Sequence, residues 1–227
     1  MLSTLAKKTA ARLPHGWQQA LKRSHFHRQI ARDTFRTNEP EWELASRWLS
    51  AGDWAIDVGA NIGHYSKRFS DLVGPQGRVI SFEPVPATFE LLAANAAQFG
   101  CANVTLINLA ASDATQVLSM NIPDFDTGLK NYYAAALTAT ASGTELQVMS
   151  CALDALRLPG PVRVLKIDAE GHDAIVIRGA KDLIAANLPT IVIESSSSEV
   201  QQFLSGLGYL TESLAGSSNA IYRHPSR

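Results

Sequence analysis

The sequence predicts an α/β fold, in which a mostly parallel sheet carries helices on both faces and an antiparallel hairpin closes one edge. Three observations predict it. From Trp54 onward, short apolar runs alternate with longer amphipathic segments. The first run ends in an acid and a glycine-rich turn, Asp57-Val58-Gly59-Ala60-Asn61-Ile62-Gly63. The chain closes on two short runs, Tyr209–Leu214 and Ala220–Arg223, that read as a hairpin. A length of 227 residues, with 46% hydrophobic and 18% charged residues, suits one domain with a short appendage.

Residues 1–37 form the appendage. Leu2, Leu5, Leu13, Trp17, Leu21, Phe26 and Ile30 recur at near-helical spacing, and Pro14 and Gly16 are expected to separate one helix from another. Asn38 then reads as an N-cap, with Pro40 in the first turn, Glu41 as capping-box partner and Gly52 as terminator. Trp54–Val58 is the first strand. Ile62–Leu72 is a helix stopped by Gly74-Pro75. Arg78–Phe82 is a strand, Pro86–Phe99 a helix stopped by Gly100, and Val104–Leu109 a strand. Gln116–Ile122 and Glu145–Cys151 read as two further strands. Between them, 123–143 is rich in Asp, Ala, Thr and Gly, and is expected to be a mobile segment, read as a substrate lid ahead of a plain disordered loop. Val162–Ile167 is a strand, Ala174–Ala186 a helix, Pro189–Ile193 a strand and Glu199–Leu207 a helix.

The formal net charge of -1 gives no global pull toward nucleic acid or membrane. The charge is uneven, however. Eight basic residues and one acid precede Thr37, which leaves twelve basic residues against twenty acids in the rest of the chain. The basic segment reads either as a solvated helix packed on the domain or as a peripheral contact with a membrane or polyanion. No apolar run is long enough to span a bilayer. Cys101 and Cys151 are too few and too far apart for a disulfide framework, so a cytoplasmic protein with reduced thiols is expected.

In open parallel sheets, ligands bind at the carboxyl ends of the strands where strand order reverses. Gly59, Asn61 and Gly63 stand at steps of two, with Asp57 two residues earlier. A dinucleotide site would want Gly-x-Gly-x-x-Gly. Here the amides at the following helix start suit a carboxylate, and Asp57 can face the amino group of an amino-acid cofactor. Phe82-Glu83-Pro84 ends the next strand, where Glu83 can take a ribose diol. These features favour S-adenosylmethionine over a nicotinamide cofactor. The expected cofactor residues are Asp57, Gly59, Ala60, Asn61, Gly63 and Glu83, with Asp168 beside them. Ser112 or Asp113, after the third strand, would meet the adenine.

The sequence resembles the FkbM family of methyltransferases. The likeness rests on Ile56–Gly63, on Phe82-Glu83-Pro84, on Leu153-Asp154-Ala155-Leu156, on Leu165–Asp173 (Leu-Lys-Ile-Asp-Ala-Glu-Gly-His-Asp) and on Arg178-Gly179-Ala180. It implies a class I methyltransferase (Rossmann-like) fold with a seven-stranded, mostly parallel sheet, and methyl transfer to a hydroxyl of a sugar, polyketide or other secondary metabolite. Asp173 stands where the family more often has Glu, and 125–143 follows no family pattern.

The expected catalytic residues lie after the fourth parallel strand: His172 as general base, with Asp168 and Glu170 to orient it or act themselves. Lys166, inside an apolar strand, needs a partner among Asp168, Asp57 and Glu194. Asp168 and Glu194 end neighbouring strands and are the candidate ligands for Mg²⁺. Two oxygens are too few for such an ion, so no metal is expected. The expected partner is a small-molecule or glycan acceptor. The alternative, a nucleic-acid methyltransferase using the basic N-terminus, lacks an Asn-Pro-Pro-Tyr type motif.

Overall fold

The computed structural model describes residues 13–123, 135–138, 146–194 and 197–227. Helix α1 (His15–Ala31) precedes a short helix α2 (Pro40–Leu44) and a 3-10 turn, Ala45–Arg47. The alternating part follows as β1 (Trp54–Val58), α3 (His64–Val73), β2 (Arg78–Phe82), α4 (Pro86–Ala96) and β3 (Val104–Ile107). Next come β4 (Ala110–Ser112), β5 (Val117–Asn121), β6 (Ala136–Thr138) and β7 (Leu146–Ala152). The chain then returns through β8 (Val162–Ile167), α5 (Asp173–Arg178), α6 (Lys181–Asn187), β9 (Thr190–Ile193), α7 (Ser198–Gly206), β10 (Leu210–Ser213) and β11 (Ala220–Arg223).

The main sheet has seven strands in the order β10-β11-β9-β8-β1-β2-β3. β1 pairs in parallel with both β2 and β8. Strand order therefore reverses at β1, and the loops after β1 and β8 face each other at the carboxyl edge. Of the closing hairpin, β11 alone runs against the sheet: it is antiparallel to both β9 and β10. The central strands are buried on both faces, as a sheet with helices on each side requires; Ile56, Leu165, Ile191 and Ile193 are fully enclosed. Each such side chain contributes about 1.5–3 kcal/mol of apolar burial. A second sheet, in the order β4-β7-β5-β6, stands beside the carboxyl edge.

Most expected elements fall where the period of their apolar residues puts them, and the departures have local causes. Pro14 sits at the N-cap of α1, and Gly16 lies inside its first turn. Residues 1–12, where the earlier helix was expected, lie outside the described residues. Glu39, not Asn38, holds the N-cap position of α2, with no side-chain cap bond. Gly52, at φ +89, turns the chain into β1 instead of ending a helix. The expected helix Ala174–Ala186 is two helices that meet at Gly179-Ala180, and Gly179 is held close to β4: a Cβ there would lie 1.9 Å from the carbonyl oxygen of Ser112. Of the expected lid, 123 is described before the gap and 135–138 supply β6 against β5; the rest lies outside the described residues.

α1 docks on α4. Gln19 Nε2 donates to Ala87 O across 3.2 Å, Arg23 pairs with Glu90, and His27 Nε2 meets Ala94 O at 3.1 Å. Phe26 and Ile30 pack onto Phe35, Ile62, Leu91 and Phe99. No described helix is long and apolar enough to cross a membrane.

Candidate active site at the carboxyl edge

The turn after β1 is built from backbone that most residues avoid. Gly59, Asn61 and Gly63 all take positive φ, at +72, +50 and +98. Glycine is free to do so, and asparagine is among the few side-chain residues that tolerate it. The spacing of two thus records three left-handed positions in one loop. Gly59 is also needed for space, since a Cβ there would lie 1.8 Å from Asp168 O. The β1 and β8 loops approach main chain to main chain at this point. Asp168 N donates to Val58 O at 3.1 Å and secures that approach.

Glu83 is the second fixed point. It is 6% exposed and receives two main-chain amides, from Asn61 onto Oε2 and from Val85 onto Oε1, each at 2.9 Å. Burial nevertheless pushes its carboxyl up to about 7. Each oxygen keeps a lone pair for a further donor. Asn108 Nδ2 holds the backbone of Glu83 and Pro84 from below.

A crevice opens here, lined by Gly59, Asn61, Glu83, Asp168, Glu170 and His172 among others. Its far wall is apolar and comes from Val85, Ala110, Ala111, Met120 and Ala135. Val85, Ala110, Met120 and Ala135 belong to one apolar cluster under the second sheet. The site offers positive-φ amides, a carboxylate with free lone pairs and an apolar slot. That set fits the amino-acid part, ribose and adenine of S-adenosylmethionine.

The structure sorts the expected residues into three groups. Gly59, Asn61, Glu83, Asp168, Glu170 and His172 line the crevice; Ala60 and Gly63 shape the loop, and Ala60 N bonds Phe82 O at 2.8 Å. Asp57 turns away from the crevice. It is fully buried, its Oδ2 accepts from Ser66 Oγ at 2.6 Å, and Ser66 meets Ser81. Burial raises its carboxyl against the pull of Lys166, its cross-strand neighbour. Ser112 and Asp113 are engaged beneath the wall: Ser112 Oγ lies 3.1 Å from His172 Nε2, and Asp113 pairs with Arg178. Sequence reasoning missed Met120 and Ala135. They reach the crevice through strand pairings that no local pattern records.

Lys166 Nζ donates to Asp168 Oδ2 at 3.1 Å and lies 4.8 Å from the ring centre of Tyr65. Burial pulls the lysine down, but Asp168 and Asp57 outweigh it, and the group is raised and stays charged. Tyr65 in turn donates to Glu39 Oε2 at 2.7 Å. Asp168, Glu170 and Glu194 bring carboxylate oxygens within 4.8 Å of one another. Glu170, at φ +48 beside Gly171 at +86, is the third acid that the strand pattern did not place there. Burial and Asp168 push Glu194 up to about 7. His172, by contrast, is lowered by burial, against the pull of Asp113. It is neutral near pH 7, and its Nε2 is engaged with Ser112.

Residues 57–212 match the model of the FkbM methyltransferase domain. Among solved structures, the chain is similar to the FkbM methyltransferase of Methylobacillus flagellatus KT, with 16% identity and a TM-score of 0.50 over 76% of this chain and 43% of that one. It is also similar to a candidate rRNA methylase of Clostridium thermocellum, with 12% identity and a TM-score of 0.51 over 80% and 90% of the two chains. At these identities the likeness shows the fold, that of the class I S-adenosylmethionine-dependent methyltransferases. The chain spans less than half the length of the Methylobacillus protein. No curated protein matches it. A match over this share of the chain, on the loop and strand ends that build the crevice, shows that the protein belongs to the FkbM methyltransferase family.

Proposed function

We propose that this chain is an S-adenosylmethionine-dependent O-methyltransferase acting on a hydroxyl of a small-molecule or glycan acceptor. The observation that carries the reading is the Asn61–Glu83 lock at the crevice floor, with three acids gathered at the ends of β8 and β9.

S-adenosylmethionine supplies a methyl on a sulfonium, which leaves readily. The chain's residues have two tasks. The loop Gly59–Gly63 and Glu83 hold the donor, through main-chain amides and a carboxylate for the ribose diol. The acids at the β8 and β9 ends then take the acceptor proton, because an alcohol is a weak nucleophile until that proton moves. Asp168 pairs with Lys166 at 3.1 Å and positions its neighbours. Glu194, raised to about 7, is the acid poised to exchange a proton near neutral pH. His172 orients the floor through Ser112.

The gathering of acids also supports a hydroxyl acceptor over a polyanion. Hydroxyls donate to carboxylates, whereas phosphates beside Glu170 and Glu194 are repelled. Incubation with methyl-labelled donor and cell extract, followed by mass spectrometry, tests this. A labelled methyl ether on a small molecule or glycan supports the reading; label found only on RNA or DNA overturns it.

A further inference from the structure

The surface of α1 has no place in the chemistry above, and its composition is unlike the rest of the chain. The first 32 residues contain seven Lys or Arg and no acid, whereas the remaining 195 hold thirteen basic residues against twenty-one acids. One face of α1 is committed to α4 through Gln19, Arg23 and His27. The opposite face carries Trp17, 67% exposed, and Leu21, 53% exposed. Arg28 and Arg32, both exposed, continue the same stripe. At 3.6 residues per turn these four positions fall within about 60° of arc. Among the described residues, Arg28 bonds only along the helix, to Ser24 Oγ at 2.9 Å.

The contacts also fix the direction of the helix. Residues 19, 23 and 27 meet 87, 90 and 94 in order, so α1 runs parallel to α4. α4 begins directly after Val85, which lines the crevice. Trp17 therefore stands at the end of α1 that is level with the crevice, and the arginines trail toward the opposite edge.

We propose that α1 is a membrane-surface helix, which lays Trp17 and Leu21 into the interface of an anionic bilayer and Arg28 and Arg32 against its headgroups. Tryptophan and leucine beside arginine is the pairing an interface rewards, and a basic stripe gains energy near an anionic leaflet. Charge complementarity selects the occupant. The acidic body is repelled by such a surface, and α1 is the described element that can meet it. A nucleic acid would use the arginines but leave Leu21 in water. This inference stands apart from the choice of acceptor, because it concerns a surface outside the crevice.

The test is flotation of the full chain with mixed phosphatidylcholine–phosphatidylglycerol vesicles and with phosphatidylcholine alone, at low and high salt. Association with the anionic vesicles alone, weakened by salt, is expected. Trp17→Ser with Leu21→Ser, and separately Arg28→Glu with Arg32→Glu, should each lower it about tenfold or more. Both pairs are exposed, so the serine pair should leave the melting temperature nearly unchanged and the glutamate pair, at the negative end of α1, should lower it only slightly. Three results would overturn the proposal: no association with anionic vesicles, association unchanged in both double variants, or a duplex RNA bound equally by wild type and the Trp17→Ser/Leu21→Ser variant while vesicles float alone.

Discussion

The amide of Asn61 donates to Oε2 of Glu83 across 2.9 Å, which joins the loop after the first strand to the end of the second. Both residues line the crevice, so any change at one is felt by the ligand twice: once directly and once through the partner.

Glu83→Gln tests that joint. An amide in place of the carboxylate turns one oxygen into a donor that faces the Asn61 or Val85 amide. Charge-assisted bonds of this kind contribute about 1.5–3 kcal/mol each. Affinity for S-adenosylhomocysteine, measured by calorimetry, should fall roughly ten- to a hundredfold. An unchanged affinity would remove Glu83 from the ribose.

The same carboxyl gives a pH dependence. Its folded value of about 7 lies above the ordinary 4.5, so the folded state binds the extra proton. Its contribution to stability is therefore present below about pH 4.5 and is lost as pH rises through 7. Ribose hydroxyls prefer the ionised form, so ligand affinity should move the other way. The rise in melting temperature caused by S-adenosylhomocysteine should be larger at pH 8 than at pH 6. An equal rise at both would contradict a titrating Glu83 in the site.

Gly59→Ala should be far more damaging than its size suggests. The new methyl would meet Asp168 O in backbone that cannot step aside, at a φ of +72. A loss of at least about 3 kcal/mol is expected from strain and separation of the two loops, read by chemical denaturation. Near-native stability with intact ligand binding would mean that the β1 and β8 loops are not in contact.

Lys166→Met removes the cation between Asp57 and Asp168 while keeping most of the volume. Leaving a buried carboxylate uncompensated costs about 3–5 kcal/mol. The loss should grow as pH rises above neutral, because the unpaired acids are tolerated only when protonated. A variant as stable as wild type at pH 8 would show that the pair is not a structural ion pair.

Glu194→Gln probes proton removal without touching the donor crevice. Turnover should drop about a hundredfold, with S-adenosylhomocysteine affinity unchanged and the acid limb of the pH–rate profile lost. His172→Ala provides the contrast, since that imidazole is neutral and tied to Ser112. A larger loss at His172 than at Glu194 would return the role of base to the histidine.

The parts of the site that could be read in the sequence are those that special backbone or strand period records. Gly59, Asn61 and Gly63 announce left-handed positions, and Asp57, Glu83 and Asp168 stand at the ends of apolar runs whose lengths set the sheet edge. What escaped needed contacts between distant segments. Met120 and Ala135 reach the crevice through pairings of β5 with β6 and β7. Gly179 reads as mid-helix until Ser112 O is placed against it. Asp57 points into a buried network of Ser66 and Ser81, with Lys166 its neighbour through the register of β1 and β8, an arrangement that no single strand contains.

The most direct measurement is titration of the purified chain with S-adenosylhomocysteine, alongside Gly59→Ala and Glu83→Gln. Saturable one-site heat in the wild type, lost in the first variant and weakened in the second, is the predicted result. No heat in a folded wild-type sample, or equal heat in all three, would contradict a methyl-donor site on this crevice.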